Sequence, residues 1–141
     1  MKNDPARKAA LEALSEFRYR LRCFLRFSEE AARSEGITVL QYQLLLHVCA
    51  FPGREWATIG ELAERLQSQH HGVVALVSRC EELGLVRRKP DPQDRRHVQV
   101  HLLAKGRRHL DRMVALHREQ LPALYYAMQA LQADEPPPTL P

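Results

Sequence analysis

The stretch VRRKPDPQDRRHVQVHLLAKGRRHLDR, residues 86–112, changes both the charge and the period of the chain. It carries nine Lys and Arg against three Asp, a net charge of +6, whereas the rest of the chain has twelve basic and fourteen acidic side chains. Within it Val98, Val100 and Leu102 alternate with Gln99, His101 and Leu103. That period of two marks a strand. LVRRK at 85–89 is expected to pair with it antiparallel, and PDPQDRRH at 90–97 has the Pro, Asp and Gln of a connecting loop. A positive excess concentrated on one short hairpin is an electrostatic handle for a polyanion.

Upstream of the hairpin the period is about 3.6. From His70 to Leu83, Val73, Val74, Leu76, Val77 and Cys80 form an inward face, and Gly84 supplies a left-handed C-terminal cap. Before it, Thr58 and Glu61 have the spacing of a capping box for a short helix whose Ile59, Leu62, Ala63 and Leu66 point inward. Residues 67–69 make the turn, so the pair is a helix-turn-helix candidate. Thr38 caps a further helix with Leu40, Leu44, Leu45 and Val48 on one face, ended by FPGRE at 51–55.

The flanks are helical as well. Leu11, Leu14, Phe17, Leu21, Phe24, Leu25 and Ala32 recur at three- and four-residue steps, predicting one long amphipathic helix that ends near Gly36. At about 1.5 Å per residue it outruns a small core, so its apolar stripe calls for another chain or the C-terminal helices. Lys105 and Gly106 open the next helix, Pro122 interrupts it or starts a separate one, and the Pro-rich ADEPPPTLP at 133–141 is expected to be a disordered tail. The fold class is therefore mainly α with a small β-wing, a winged helix-turn-helix with further helices at both ends.

At 141 residues, 45% hydrophobic and with a pI near 9.2, the chain suits one soluble domain with a basic bias. It has no run of about 18 apolar residues and its first residues lack a signal peptide's apolar segment, so a cytoplasmic protein without membrane contact is expected. Cys23, Cys49 and Cys80 are odd in number and widely spaced, and read as free thiols, the last two as packing residues. No GxSxG, phosphate loop, HExxH or paired catalytic carboxylates are present, so neither an enzyme nor a cofactor is expected.

Helix, turn, helix and basic hairpin each have a physical task on duplex DNA. The second helix of the pair fits the major groove, with Ser68 and the helix N-terminus toward a phosphate and Gln69, His70 and His71 toward base edges. Arg79 lies further along, facing backbone. In the hairpin, Asp94 can hold an Arg of the Arg95–Arg96 pair for insertion in the minor groove, while Arg87, Arg88 and Lys89 neutralise phosphates. His70 and His71 lack convergent partners for a metal, and His97, His101, His109 and His117 are read as surface residues. Arg18, Arg22 and His47 are candidates for an anionic ligand's carboxylate, and Cys23 for oxidant sensing. A winged-helix module that binds protein and never DNA is the alternative from another class.

GITVLQYQLLLHV at 36–48, IGELAERL at 59–66, EELGLVRR at 81–88 and above all DPQDRRHVQVHLLAKG at 91–106 resemble the MarR family of bacterial transcription regulators, across roughly residues 10–130. The resemblance implies a homodimer on a near-palindromic site, mostly a repressor released by a small phenolic or anionic effector, by oxidation or occasionally by metal. It implies one domain over residues 1–132, with dimerisation helices at about 8–35 and 106–132 and the DNA-binding lobe at about 38–104. Three positions depart from the pattern: Ser78 stands where an acid often pairs with the wing, Leu103 where Thr often caps the next helix, and His70–His71–Gly72 where Ser or Thr is usual.

Overall fold

A computed structural model describes residues 4–132, so the expected tail at 133–141 lies outside the described residues. In chain order the elements are α1 (Pro5–Ser34), α2 (Val39–Cys49), β1 (Trp56–Thr58), α3 (Ile59–Leu66), α4 (His70–Glu82), β2 (Val86–Pro90), β3 (Val98–Leu102), α5 (Ala104–His117) and α6 (Leu121–Gln132). Residues 31–115 make one compact unit, and residues 4–30 with 116–132 belong to another.

In the first of these units, local signals set the helix ends. Thr38 caps α2 and Thr58 caps α3, each in a complete capping box whose third residue, Gln41 or Glu61, bonds back to the cap N–H. Gln67, in the left-handed region at φ 51°, turns the chain from α3 to α4. At the other end of α4 the Gly84 N–H donates to the Glu81 carbonyl and the Leu85 N–H to the Cys80 carbonyl. Gly84 takes φ +75°, the left-handed residue such a stop requires. The core is built from Leu44, Leu45, Val48, Leu62, Val73, Val77, Cys80, Leu85, Val86 and Val100, all at most 1% exposed. Leu40 does not join it; it is 48% exposed, and Gln41 and Tyr42 are buried instead.

The sheet has three strands where two were expected, in the order β1-β3-β2 and all antiparallel. Trp56 faces His101 across β1 and β3, and Arg87 faces His101 across β2 and β3. β1 escaped the sequence because three residues show no period, and its pairing partner lies far along the chain. Gly106, early in α5, is a position of close approach: a Cβ there would lie 2.2 Å from the Leu85 carbonyl oxygen. Beside it Lys105 Nζ donates to the Leu83 carbonyl at 2.8 Å, closing the end of α4 in the manner of a basic C-terminal cap. The Lys–Gly pair after the wing thus fastens α5 to the end of α4, although no Thr caps α5.

In the unit of residues 4–30 and 116–132, Pro122 sits in the first turn of α6, after a break at residues 118–120. His117, expected at the surface, is 5% exposed. Its Nε2 is 2.6 Å from Ser28 Oγ, and the rings of Phe24 and Phe27 meet it edge-on at 5.6 and 5.4 Å. An imidazole satisfied on its polar edge and covered on its sides can be buried at low cost. No helix among the described residues is long and apolar enough to cross a membrane.

Candidate nucleic-acid interface

The first turn of α4 carries the residues singled out for base contact. Ser68, Gln69, His70 and His71 are all exposed. Gln69 occupies the cap position with no side-chain capping bond, so the leading N–H groups of α4 are not closed off by a side chain. Ser68 Oγ donates to the Leu66 carbonyl at 3.3 Å. Arg79, also exposed, is ion-paired with Glu82 at 3.2 Å.

At the hairpin tip the loop is organised by two Asp side chains. Asp91 Oδ1 accepts the Gln93 N–H at 2.8 Å, and Asp94 Oδ1 accepts the Arg96 N–H at 3.0 Å. Asp94 then grips the Arg96 guanidinium with both oxygens, from Nε at 3.1 Å and Nη2 at 3.0 Å. The Arg96 side chain holds the Asp94 carboxyl below the ordinary range, with the Arg96 N–H adding to the effect. The Arg96 side chain nevertheless stays 87% exposed, so the grip orients it without withdrawing it. Arg95 beside it is exposed.

The three basic residues of β2 separate by strand alternation. Arg87 and Lys89 are exposed opposite His101 and Gln99, on the face where Trp56 stacks on His101 at 6.1 Å. Burial and Lys89 lower the pKa of His101, which favours a neutral ring there. Arg88 shares the other face with buried Val86 and is occupied within the fold. Its Nη2 donates to the Val74 carbonyl at 3.0 Å and to Ser78 Oγ at 2.7 Å, and its Nη1 meets Glu81 at 3.2 Å. Glu81 also accepts the Arg88 backbone N–H at 2.8 Å, and this bond leads the causes that lower its pKa. Ser78 therefore takes part in joining wing to helix as an acceptor, and Glu81 supplies the acid that Ser78 lacks. Sequence reasoning grouped Arg88 with its neighbours, although period two put it on the Val86 face.

A second missed cluster sits at the start of α3. The Arg54 guanidinium lies 4.3 Å from the Phe51 ring centre and 3.8 Å from that of Trp56, and ion-pairs with Glu61. Since Glu61 also closes the Thr58 capping box, this cation–π stack fixes where the first helix of the pair begins. The spaced aromatics around FPGRE were the available signal.

The remaining candidates are scattered over separate parts of the chain. Arg18 and Arg22 are exposed on α1 and border a shallow groove with Tyr19, Leu21 and Leu25. His47, on α2, has its pKa lowered by burial and by Arg65, which leaves a neutral imidazole and a weak anion ligand at pH 7. Cys23 is exposed, Cys49 half-buried, and Cys80 buried, its thiol pushed up to about 11 by burial. The nearby Arg20 and Arg26 are ion-paired with Glu16 and Glu30 at 2.8 and 3.1 Å. Among the described residues no group of three or more His, Cys, Asp or Glu stands in metal-holding geometry.

A helix-turn-helix followed by a wing clamped to its second helix is the arrangement of winged-helix proteins, and residues 35–97 match the MarR family model. Over that stretch the lobe is similar to the MarR family. Over 77 residues the chain is 34% identical to an uncharacterized HTH-type transcriptional regulator, YsmB, of Bacillus subtilis (strain 168), covering 50% of this chain. The aligned part spans about half, 53%, of that relative's length. The fold matches MarR-type structures over a larger share. Wild-type MarR from E. coli in its apo form superposes with a TM-score of 0.66 at 25% identity, covering 84% of this chain and 83% of that one. AbsC, a MarR family transcriptional regulator from Streptomyces coelicolor, gives 0.70 at 19% identity, with 91% and 83% covered. A mutant MarR from E. coli complexed with operator DNA gives 0.64 at 24% identity, with 84% and 81% covered.

Proposed function

We propose that the protein is a homodimeric, sequence-specific regulator of transcription that binds double-stranded DNA in the cytoplasm. The observation that carries this is the pairing of an exposed, side-chain-uncapped α4 N-terminus with a wing tip whose Arg96 is aimed by Asp94 and left exposed. In this reading α4 lies in the major groove, with Gln69, His70 and His71 at base edges and Ser68 with the open N–H groups at a phosphate. Arg95 and Arg96 enter the minor groove, whose narrow stretches concentrate negative potential. Arg87 and Lys89 neutralise phosphates and Arg79 stands toward the backbone, while Arg88 positions the wing. None of these contacts involves bond making, which agrees with a binding protein and not an enzyme.

Dimerisation through residues 8–35 and 106–132 accounts for apolar side chains left exposed on the terminal helices, and residues 38–104 act as the DNA-binding lobe. Two copies of α4 about 34–36 Å apart would match one turn of a near-palindromic site. A small anionic or phenolic effector at Arg18 and Arg22 would release a repressor by favouring another spacing of the two lobes. Exposed Cys23 supports a second reading, release by oxidation.

The experiment is selection of bound duplexes from a random library, followed by challenge with small aromatic acids and with peroxide. A recovered inverted repeat spaced by one turn supports the reading. Failure to retain any duplex above background, with retention of a protein partner, would favour the protein-interaction module. Peroxide release that vanishes in Cys23→Ser would select the oxidation route.

A further inference from the structure

The outward face of α4 changes character along its length. Hydrogen-bonding side chains gather at its start, in Gln69, His70 and His71, and at its far end the acids are occupied, Glu82 by Arg79 and Glu81 by Arg88. Between them the exposed surface is apolar: Val74 is 37% exposed and Ala75 is exposed, whereas Val73, Val77 and Cys80 turn inward at 1% or less. Val74 lies at the flank of the core face, and as a β-branched residue it is a poor choice for a helix position left 37% exposed. Its place is nonetheless held firmly, because the Arg88 guanidinium bonds the Val74 carbonyl and the Ser78 hydroxyl one turn on. Gly72 leaves open space beside it, since a Cβ there would meet nothing within 4 Å.

An apolar side chain presented to the major groove has one sequence-specific target, the 5-methyl group of thymine. The exposed Arg87, Lys89, Arg95 and Arg96 of the neighbouring strand and loop make a polyanionic occupant the fitting one for this face. We infer that Val74 and Ala75 are specificity residues that read thymine through its methyl group, in the middle of each half-site. This rests on the DNA-binding reading. Gln69, His70 and His71 discriminate by hydrogen bonds at one end of the half-site, and the Val74–Ala75 step discriminates by van der Waals contact next to them. Arg88 acts here as a positioning residue, fixing the depth at which Val74 meets the base.

The test uses the full-length protein and the duplex recovered by random selection. Thymines in the half-site are replaced singly by deoxyuridine, which keeps base pairing and removes only the methyl group. Affinity is expected to fall about fourfold at one or two positions, the worth of one buried methyl group. The same loss is expected from Val74→Ala on the thymine duplex, and Val74→Ala should then be indifferent to deoxyuridine at one of those positions. Ala75→Ser should blunt the preference at the adjacent one. Both side chains are exposed, so circular dichroism should report an unchanged fold. Binding of the selected duplex with every deoxyuridine replacement neutral, or with additive losses from replacement and Val74→Ala, overturns the inference and leaves DNA binding standing. Failure to select any duplex overturns both.

Discussion

In the lobe of residues 31–115, Leu44, Leu45, Val48, Leu62, Val77 and Val100 have no exposed surface, while in the unit of residues 4–30 and 116–132 Leu11, Leu14, Leu25, Leu121, Tyr125 and Tyr126 keep between 47% and 69% of theirs. Both sets arise from apolar periodicity, and the periodicity alone does not tell them apart. The lobe carries its own core because three helices and a sheet close around it. The terminal helices carry an apolar stripe that a lone copy leaves in water, which is the strongest physical support for the proposed dimer. Stability and assembly are thereby assigned to different residues, and substitution can show whether that division holds.

The largest difference is expected between Leu44→Ala and Leu14→Ala. Removing the fully buried Leu44 side chain should cost the lobe about 2–5 kcal/mol, read by denaturant unfolding at any protein concentration. Leu14, 47% exposed, should cost little within one copy and instead raise the concentration at which dimers dissociate, read by sedimentation. Equal, concentration-independent losses from both would break the comparison. Gly106→Ala comes next within the lobe. The added Cβ would meet the Leu85 carbonyl, which is backbone and cannot swing aside, so a loss near about 3 kcal/mol is expected. A change under about 0.5 kcal/mol would mean that α5 slides freely over the strand.

Within the lobe the clamp and the wing tip make a finer contrast. Arg88→Met removes the bonds to Val74, Ser78 and Glu81, and should lower both lobe stability, by about 1–2 kcal/mol, and duplex affinity. Arg95→Ala with Arg96→Ala removes exposed charges, and should leave the unfolding midpoint within error. It should also reduce the slope of log affinity against log salt by about 2 per lobe. A stability loss in the tip variant equal to that in Arg88→Met would show that the tip, too, is part of the scaffold.

Local signals were legible in the chain and distant ones were not. Thr38, Thr58–Glu61 and Gly84 announced their caps because each cap is satisfied within five residues. The Asp94 grip on Arg96 was legible for the same reason, as an acid two residues before a base in a turn. His117 was not, because its burial is made by Ser28, Phe24 and Phe27 on α1, at the opposite end of the sequence. β1 depended on β3 in the same way, and Leu40 on which side of α2 the sheet would cover. Arg88 is the instructive exception, since the alternation that predicted the strand already assigned it to the Val86 side.

The smallest expected effect lies at the end of α1 within the lobe, where Glu35 accepts Arg112 Nε at 2.6 Å and His109 Nδ1 lies 3.3 Å away. The Arg112 hydrogen bond is the leading cause that holds the Glu35 carboxyl below its ordinary value. A carboxylate depressed in the folded state adds stability that is present above its unfolded pKa, and loses it as pH falls through the folded one. The melting temperature of the native protein should therefore drop more steeply than that of Glu35→Gln once the pH falls below about 5, and the two should converge under more acid conditions, where the carboxylate is protonated in both states. Because the Glu35 side chain is only 16% exposed, added salt should shrink this difference less than it shrinks the effect of breaking the exposed Lys8–Glu12 pair on α1. Parallel pH profiles for the two proteins would show that Arg112 and His109 do nothing for the lobe beyond covering its surface.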